Sequence, residues 1–245
     1  MSEYRWNVSD FAASYDKGAE RIHPYYLELQ DEILGALSFP PDASFLLVDA
    51  GGGSGRLVQR VLEKWPRASG VVLDQSEPFL ALAERRLAKY AKRATCIQAR
   101  LQEDWPDLLP KAPLAIVSMS AVHHLDPAEK AAFYRRCFEA LAPGGVLLNG
   151  DEVRPDDDAE YLAVMQGWSQ YMERAMQSGT VPAPIHPNLR AWSERNVARF
   201  GELKRSGDDC HETAAAQLGY LRSAGFPQAD AVWCQKLWTL LAARK

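Results

Sequence analysis

The sequence has few cysteines, little net charge and no long apolar run, and each of these absences excludes a class of protein. Its 4 cysteines, Cys96, Cys137, Cys210 and Cys234, lie far apart without ligand spacing, which predicts free thiols in a reducing compartment and no metal site. The net charge of −4 comes from interspersed acids and bases and indicates no surface for a long nucleic acid. No apolar run is long enough to span a bilayer, and the N-terminus lacks the apolar core of a signal peptide. We therefore expect a cytoplasmic protein with no membrane partner.

Glycine is concentrated in one short segment, residues 45–57, which reads Phe-Leu-Leu-Val-Asp-Ala-Gly-Gly-Gly-Ser-Gly-Arg-Leu. The apolar run that opens it predicts a strand buried on both faces, and apolar residues at helical spacing over 57–65 predict the helix that follows. Gly51, Gly53 and Gly55 then form the turn between them, where no Cβ separates the main chain from a ligand. A bound molecule would lie on the peptide groups, close to the positive end of the helix.

A second strand with an acidic end follows at residues 70–74, which read Gly-Val-Val-Leu-Asp. The carboxylate of Asp74 has the position that binds ribose hydroxyls in nucleotide-binding folds. The structural alternatives are that the glycine segment is only a tight turn and that Asp74 only caps the following helix. The spacing Gly51-x-Gly53-x-Gly55 differs from the dinucleotide fingerprint, and no Lys-Ser or Lys-Thr follows to hold a triphosphate. These observations favour a nucleotide-like ligand other than a dinucleotide or a triphosphate.

Several segments resemble, in the right order, one known family, the class I S-adenosylmethionine-dependent methyltransferases. Residues 48–55 resemble its first motif, residues 112–125 its fourth strand and following turn, residues 141–148 its helix end and fifth strand, and residues 218–226 its closing helix. The resemblance implies a Rossmann-like, seven-stranded, mostly parallel sheet flanked by helices, with the last strand antiparallel and a helical cap insertion. The alternation of strands and helices along the chain also favours a mostly parallel sheet.

The resemblance implies a cofactor, S-adenosylmethionine, and the residues that bind it. The loop glycines would lie against its methionine part, Asp49 would help to orient it, and Asp74 would bind its ribose. The implied cofactor-binding residues are Asp49, Gly51, Gly53, Gly55, Asp74, Gln75, Leu101, Ser118 and Tyr15. Arg100 departs from the family because an acid often contacts the adenine there, so the adenine is held by backbone groups and Leu101 or by an acceptor elsewhere.

We predict one domain over residues 1–245, with a helical arm over 1–40 above the cofactor and a helical cap over 154–209 between strands five and six. Apolar residues at helical spacing over 22–37 indicate an amphipathic helix in the arm. In the insertion, Met and aromatic side chains recur at helical spacing before prolines break the chain, a pattern that also fits plain core. We interpret the insertion as a lid over a small, partly apolar or aromatic acceptor. Its substrate-binding candidates are Trp168, Met172, His186 and Trp192.

The implied reaction transfers a methyl group to that acceptor by in-line displacement and leaves S-adenosylhomocysteine. Because a sulfonium is already a good electrophile, the protein mainly aligns the reactants and excludes water. Where the acceptor must lose a proton, His123 or His124 could be the catalytic base, since imidazole titrates near neutral pH. A pocket-shaping role is the alternative for both histidines, and Asp151 and Glu152 are further candidates.

Other functions stay open at this stage. One is modification of a transfer-RNA wobble uridine with adenosylmethionine or a derivative, which would require a basic face beside the cofactor cleft. Another is a regulator that binds adenosylmethionine or adenosylhomocysteine without catalysis, and a nicotinamide-dependent oxidoreductase is a more distant alternative. The sequence also leaves open the identity of the acceptor and whether the chain forms a homodimer.

Overall fold

The fold is built on a seven-stranded sheet in the computed structural model, which describes residues 7–245. The strands are β1 (Leu46–Ala50), β2 (Ser69–Asp74), β3 (Ala94–Gln98), β4 (Ala115–Met119), β5 (Val146–Glu152), β6 (Gln228–Gln235) and β7 (Trp238–Arg244). Their order across the sheet is β3-β2-β1-β4-β5-β7-β6. β7 is antiparallel to β5 and β6, whereas β1 to β5 pair in parallel. The predicted mostly parallel sheet with an antiparallel last strand is therefore confirmed.

Helices cover both faces of this sheet. They are α1 (Ser9–Ile22), α2 (Tyr26–Ala36), α3 (Arg56–Lys64), α4 (Glu77–Leu87), α5 (Pro127–Ala140), α6 (Asp158–Gln177), α7 (His186–Ser193) and α8 (Ala214–Ala224). The first part of the predicted arm, residues 1–6, lies outside the described residues.

The central strand β1 shows why a continuous apolar run is needed here. Its register places Val48 beside Val71 of β2 and Ile116 of β4, and all of its residues are buried. Leu47 packs in the core formed with α2, α3 and α6, whereas Val48 packs in the core formed with α5 and α8. A strand with a helix layer on each face loses water on both sides, so its sequence does not alternate.

Local signals in the sequence set several helix ends. The Ser76 hydroxyl accepts a hydrogen bond from the Phe79 N–H at 3.4 Å and caps α4. Asp126 and Glu129 form a reciprocal capping box at the start of α5, with distances of 2.9 and 3.0 Å. In each case a side-chain oxygen accepts from a backbone N–H that has no partner within the helix. These caps fix the loops that precede α4 and α5.

The amphipathic helix predicted over 22–37 begins later, at Tyr26, and a separate helix, α1, precedes it on the other side of Pro24. Proline lacks an N–H and disfavours helical backbone at the preceding residue, so α1 ends at Ile22. The break lets α1 lie against α4 and α6 while α2 lies against β5 and β7. The arm is therefore a pair of helices with two different packing surfaces.

Between β5 and α8 the chain forms α6, α7 and a π-helical turn, Glu194–Ala198. The Trp168 ring of α6 packs against Trp192 of α7 and Trp238 of β7, with ring centroids 4.4 and 4.8 Å apart. The Trp168 indole N–H also donates to the Ile22 carbonyl at 2.8 Å. Trp168 therefore connects the insertion to both the sheet and the arm. Of the helices in residues 7–245, none is both long and apolar enough to cross a membrane.

Candidate active site

The glycine loop between β1 and α3 has a backbone that other residues would strain. Gly51 and Gly53 have φ values of +76° and +51°, in the left-handed region that favours glycine. A Cβ on Gly51 would lie only 2.5 Å from the Ala121 Cβ. The Gly51 and Gly52 N–H groups donate to the Leu73 carbonyl at 2.7 and 3.1 Å. The loop is thereby held against the end of β2.

Asp74, at the end of β2, organises the edge of the same loop. Its Oδ2 accepts from the Gly53 N–H at 2.9 Å, and its Oδ1 accepts from the Ser76 N–H at 2.8 Å. Burial raises the pKa of the Asp74 carboxyl, and the backbone donors partly oppose that shift. One carboxylate therefore joins the glycine loop to the start of α4, while its further lone pairs can accept ligand hydroxyls.

These groups surround a cavity of about 310 Å³ above the carboxyl ends of the parallel strands. Of the predicted cofactor-binding residues, the following line it: Asp49, Gly51, Gly53, Asp74, Gln75, Leu101 and Tyr15. Residues 99–102 form the wall that includes Arg100. Parallel sheets bind nucleotide-like ligands at this edge, near the point where the strand order reverses between β1 and β4.

Two predicted cofactor-binding residues lie outside this lining. The Ser118 hydroxyl is fully buried and donates to the Ala50 carbonyl at 2.7 Å, so it joins β4 to β1 behind the wall. Its neighbours Met119 and Ser120 line the cavity instead. A Cβ on Gly55 would meet Leu87 at 3.0 Å, because that glycine packs beneath the loop. Both positions therefore shape the cavity from behind its surface.

Asp49 is the most strongly perturbed acid in the cavity lining. Its side chain is buried, and burial together with the nearby Asp74 charge raises the pKa of the Asp49 carboxyl to about 8. The folded protein therefore binds a proton that the unfolded chain, with an aspartate pKa of about 4, releases near neutral pH. A cationic ligand group placed beside Asp49 would favour its ionised form.

We expect the Asp49→Asn variant to gain stability relative to the wild type as the pH rises from about 5 to about 8. Because folding raises the pKa of Asp49, the wild type loses free energy of unfolding across this window by up to about 1.4 kcal/mol per pH unit. Asparagine does not titrate, so the variant lacks this loss. Urea unfolding at several pH values measures the difference, and parallel pH profiles for the two proteins would contradict it.

The arm is fastened to the glycine loop by Asp16, a contact that sequence reasoning missed. Asp16 accepts from the Ser54 hydroxyl at 2.5 Å, from Arg56 Nε at 2.9 Å and from Arg86 Nη2 at 2.9 Å. Burial opposes the Asp16 charge, but the hydrogen bonds from Arg86, Ser54 and Arg56 outweigh it and lower the pKa of the carboxyl. Through this cluster α1 forms one wall of the cavity.

Replacing Asp16 with alanine is expected to lower the free energy of unfolding by about 1–3 kcal/mol, because Arg56 and Arg86 lose their shared acceptor. The matched control is Asp31→Ala, whose exposed pair with Arg60 should contribute less than about 1 kcal/mol. Chemical denaturation measures both effects, and limited proteolysis reports cleavage between α1 and α2. Equal effects of the two substitutions would show that Asp16 does not fasten the arm.

A second, smaller cavity of about 100 Å³ adjoins the first. Tyr15, Ser120 and His124 line both cavities. Of the predicted substrate-binding residues, Trp168, Met172 and Trp192 line the second cavity. His186 does not, because it starts α7 and its Nε2 contacts the Val181 carbonyl at 3.0 Å. The three other candidates therefore surround one small compartment beside the larger cavity.

His123 is held as a buried cation at the wall of the second cavity. Its Nδ1 lies 2.6 Å from Asp151 Oδ1 and 2.6 Å from Glu152 Oε2, and its backbone N–H donates to Asp151 Oδ2 at 2.8 Å. Burial disfavours the charged ring, but the Glu152 and Asp151 charges outweigh it and raise the pKa of His123 well above its usual value. An imidazolium fixed in this way cannot accept a proton from an acceptor at neutral pH.

His124 has the opposite arrangement. Its Nδ1 lies 3.1 Å from the Asp208 carbonyl oxygen, and because a carbonyl only accepts, Nδ1 carries the proton in the neutral ring. Nε2 is then the proton acceptor. The segment that positions it was not anticipated from the sequence: the Gly207 and Cys210 N–H groups each donate at 2.8 Å to the carbonyls of His124 and His123.

Two sets of side chains near the second cavity have donor atoms within 4.8 Å of one another, the spacing of a metal site. The sets are His123, Glu152 and His211, and His123, His124 and Asp209. Metal binding requires an unprotonated imidazole. The shared member His123 holds its proton between two carboxylates, whereas burial and the His123 charge lower the pKa of His211 to about 4. This electrostatic arrangement favours a proton network over a cation at His123.

The sheet order, the glycine loop after β1 and the acid at the end of β2 define the Rossmann-like fold of the class I methyltransferases. Residues 47–145 match the family model described as a methyltransferase domain. The matched segment runs from β1 to the turn before β5 and contains the glycine loop and Asp74, so the part of the chain that forms much of the larger cavity is similar to a methyltransferase domain.

Individual relatives share parts of the chain. A trans-aconitate 2-methyltransferase from Acidovorax sp. (strain JS42) is 34% identical over 116 residues, which cover 47% of this chain and 41% of that protein. A 2,7-dihydroxy-5-methyl-1-naphthoate 7-O-methyltransferase from Streptomyces carzinostaticus is 32% identical over 154 residues, covering 58% and 45%. The chain thus spans less than half the length of these two relatives.

Among solved structures, human N-acetylserotonin methyltransferase in complex with SAM superposes with a TM-score of 0.59 and 17% identity. The match covers 96% of this chain and 58% of the human chain. At this identity the likeness concerns the fold, which extends over nearly the whole length of the present chain.

Proposed function

We propose that the chain transfers a methyl group from S-adenosylmethionine to a small, partly apolar or aromatic molecule in the second cavity. The observation that carries this proposal is the junction of the two cavities at Tyr15, Ser120 and His124. A donor in the larger cavity and an acceptor in the smaller one would meet at these three side chains. The names of the two relatives, which act on trans-aconitate and on a dihydroxynaphthoate, are consistent with a small acceptor.

The larger cavity suits the cofactor in shape and chemistry. Gly51, where a Cβ would clash with Ala121, and Gly53, whose φ is +51°, offer bare peptide groups. Asp74 offers a carboxylate for the ribose hydroxyls. Asp49 would hold the cationic methionine part, with Leu101 against the adenine. When bound, S-adenosylmethionine supplies an electrophilic methyl group.

The chain's own contribution to the chemistry is to orient the acceptor, exclude water and take up a proton. His124 Nε2 receives the proton of an acceptor hydroxyl, because the Asp208 carbonyl fixes the proton of the ring on Nδ1. Ser120 stands beside it with its hydroxyl donating to Glu152 at 3.1 Å. Helix α1 and the insertion over 154–209 cover the junction, which removes water from the reacting groups.

The test begins with mass spectrometry of the ligand carried through purification and with calorimetric titration of adenosylmethionine. Transfer from methyl-labelled cofactor is then followed with a panel of small hydroxylated aromatic and unsaturated molecules and with total transfer RNA. We expect label in a small molecule. Label in RNA alone would favour wobble-uridine modification, and cofactor binding without any transfer would favour the non-catalytic regulator. Binding of NAD in place of adenosylmethionine would overturn the assignment.

A further inference from the structure

Lys130, on α5, is a buried cation that the proposed mechanism does not use. Its side chain has no exposed surface, and no other lysine or arginine among residues 7–245 is buried to this extent. An ammonium group is costly to remove from water unless it is paired and hydrogen-bonded. The Lys130 Nζ donates to the Cys210 carbonyl and, at 2.9 Å, to Glu212 Oε2. Both partners lie in the segment of residues 207–212, between the π turn and α8.

The Glu212 end of this segment is fixed on two further sides. Glu212 Oε1 accepts from the hydroxyl of Tyr220, a residue of α8, at 2.7 Å. The Glu212 backbone carbonyl accepts from the Arg154 N–H at 3.1 Å, beside an isolated bridge that pairs Arg154 with Thr213. The Lys130 ion pair therefore has a rigid surrounding, and the charge of Glu212 balances the buried ammonium.

Cys210 connects the buried cation to the histidines through its two backbone groups. Its carbonyl accepts from Lys130, whereas its N–H donates to the His123 carbonyl at 2.8 Å. Three residues earlier in the segment, the Gly207 N–H donates to the His124 carbonyl, also at 2.8 Å. A displacement of the Cys210 carbonyl would therefore move the backbone that lies along both histidines.

The same segment presents two acceptors to the ring of His124. The Asp208 carbonyl oxygen lies 3.1 Å from His124 Nδ1, and Asp209 Oδ1 lies 3.7 Å from the same atom. The hydrogen bond that one ring nitrogen makes decides which of the two nitrogens carries the proton of a neutral imidazole. The position of the segment therefore decides whether His124 Nε2 is able to take up a proton.

Resting on the proposed function, we propose that Lys130 is a positioning residue for methyl transfer, because its bond to the Cys210 carbonyl holds the Asp208 carbonyl at His124 Nδ1. Lys130 is not part of the lining of either cavity and does not touch the reacting groups. It acts through the segment of residues 207–212, which keeps the His124 proton on Nδ1 and leaves Nε2 as the base. A paired, hydrogen-bonded ammonium is a strong and fixed donor for this purpose.

Nitrogen NMR of isotopically labelled histidine rings tests this assignment without turnover. The chemical shifts of the two ring nitrogens distinguish the tautomers of a neutral imidazole, and the His124→Gln variant identifies the His124 signals among the 5 histidines. Above neutral pH, we expect the wild-type His124 ring to carry its proton on Nδ1. In Lys130→Met the ring should populate both tautomers, because methionine keeps much of the lysine volume but has no donor for the Cys210 carbonyl.

The matched control is Tyr134→Phe, because Tyr134 is another buried polar residue of α5. Its hydroxyl donates to Gln217 of α8 at 2.5 Å and accepts from the Asn149 amide at 3.0 Å. These partners lie outside residues 207–212. The control should therefore lose stability, as measured by urea unfolding, while the His124 tautomer stays as in the wild type.

A double variant covers the case in which Lys130→Met does not fold. Removing Lys130 alone leaves the Glu212 carboxylate without its cation, which is more damaging than removing both charges. The variant with Lys130→Met and Glu212→Gln removes both, and the new amide can still accept from Tyr220. Its His124 ring should also populate both tautomers. An unchanged tautomer in either folded variant, or a wild-type ring with its proton on Nε2, would overturn the positioning role.

The outcomes separate this inference from the proposed function. If the wild type transfers no methyl group, the proposed function fails, and the NMR comparison still decides whether Lys130 sets the tautomer. Where transfer is observed, the single-turnover rate of Lys130→Met should fall by roughly tenfold, less than that of His124→Gln, because the base is present but no longer held in one tautomer. Equal rates in Lys130→Met and Tyr134→Phe would overturn the role of Lys130 in transfer.

Discussion

Replacing His124 with glutamine is expected to lower kcat by about 10²–10⁴-fold, the usual contribution of a positioned general base. Glutamine preserves much of the side-chain volume at the junction of the two cavities but cannot take up a proton from the acceptor. Affinity for adenosylmethionine should change little, because the groups that we propose to hold the cofactor are in the glycine loop and at Asp74. Single-turnover transfer of labelled methyl measures the chemical step, and calorimetry measures cofactor binding.

The matched control for His124 is His186→Gln, because His186 lies outside both cavities. Its contact with the Val181 carbonyl is local to the insertion, so kcat should stay near the wild-type value. A decrease of less than about tenfold in His124→Gln would show that the acceptor loses its proton to another group or to water. That result would show that His124 lines the junction of the two cavities without acting as the base.

The second large effect is expected for Gly51→Ala, which should weaken adenosylmethionine binding by roughly 100-fold or more. The new methyl group would lie 2.5 Å from Ala121 Cβ, on a backbone with φ of +76°. Left-handed backbone alone costs a non-glycine residue about 1–2 kcal/mol. The loop must therefore move, and movement pulls its peptide groups away from the cavity. Calorimetric titration of adenosylmethionine and of adenosylhomocysteine measures the loss.

Gly167→Ala is the control for a glycine that has no such role. Gly167 lies within α6, and a Cβ there meets nothing within 4 Å. Alanine should stabilise the helix by about 0.5–1 kcal/mol and leave cofactor affinity unchanged. If Gly51→Ala also binds the cofactor normally, the loop does not depend on a glycine at this position, and its proposed contact with the ligand is wrong.

The central part of the fold could be predicted because its signals are local. The apolar run of β1, the glycines after it and the acid at the end of β2 lie within about thirty residues, and strand-helix-strand connections place them together. The caps of α4 and α5 are equally local, since Ser76 and Asp126 contact backbone groups three residues away. Such interactions depend on spacing along the chain, which the sequence shows directly.

Contacts between distant segments could not be predicted in this way. Asp16 and Arg86 meet across 70 positions, and the Asp208 carbonyl reaches His124 across 84 positions. The sequence contains no periodic pattern that records such encounters. The direction of one side chain was equally hidden, because β4 ends at Met119 and the left-handed backbone of Ser120, with φ of +50°, breaks the alternation that would place it on the same face as Ser118.

The π turn was the least accessible feature. A regular helical pattern drawn through the insertion selects Trp192, whereas the added residue of the π turn brings Arg195 to the cavity. No composition signal marks where a helix widens by one residue. The histidine roles also required the structure, since the order His123-His124 does not tell which ring lies between carboxylates and which lies against a carbonyl.

Helix α1 supplies a wall to both cavities through Tyr15, and the Trp168 indole holds the end of the same helix to the insertion. If the larger cavity holds the methyl donor and the smaller one the acceptor, as we propose, α1 therefore closes both. Displacing α1 breaks the Asp16 cluster and opens both spaces together, so we expect the two products to leave in a single opening event. The free energy of that opening, set largely by Asp16, would then govern how long the spent cofactor remains bound.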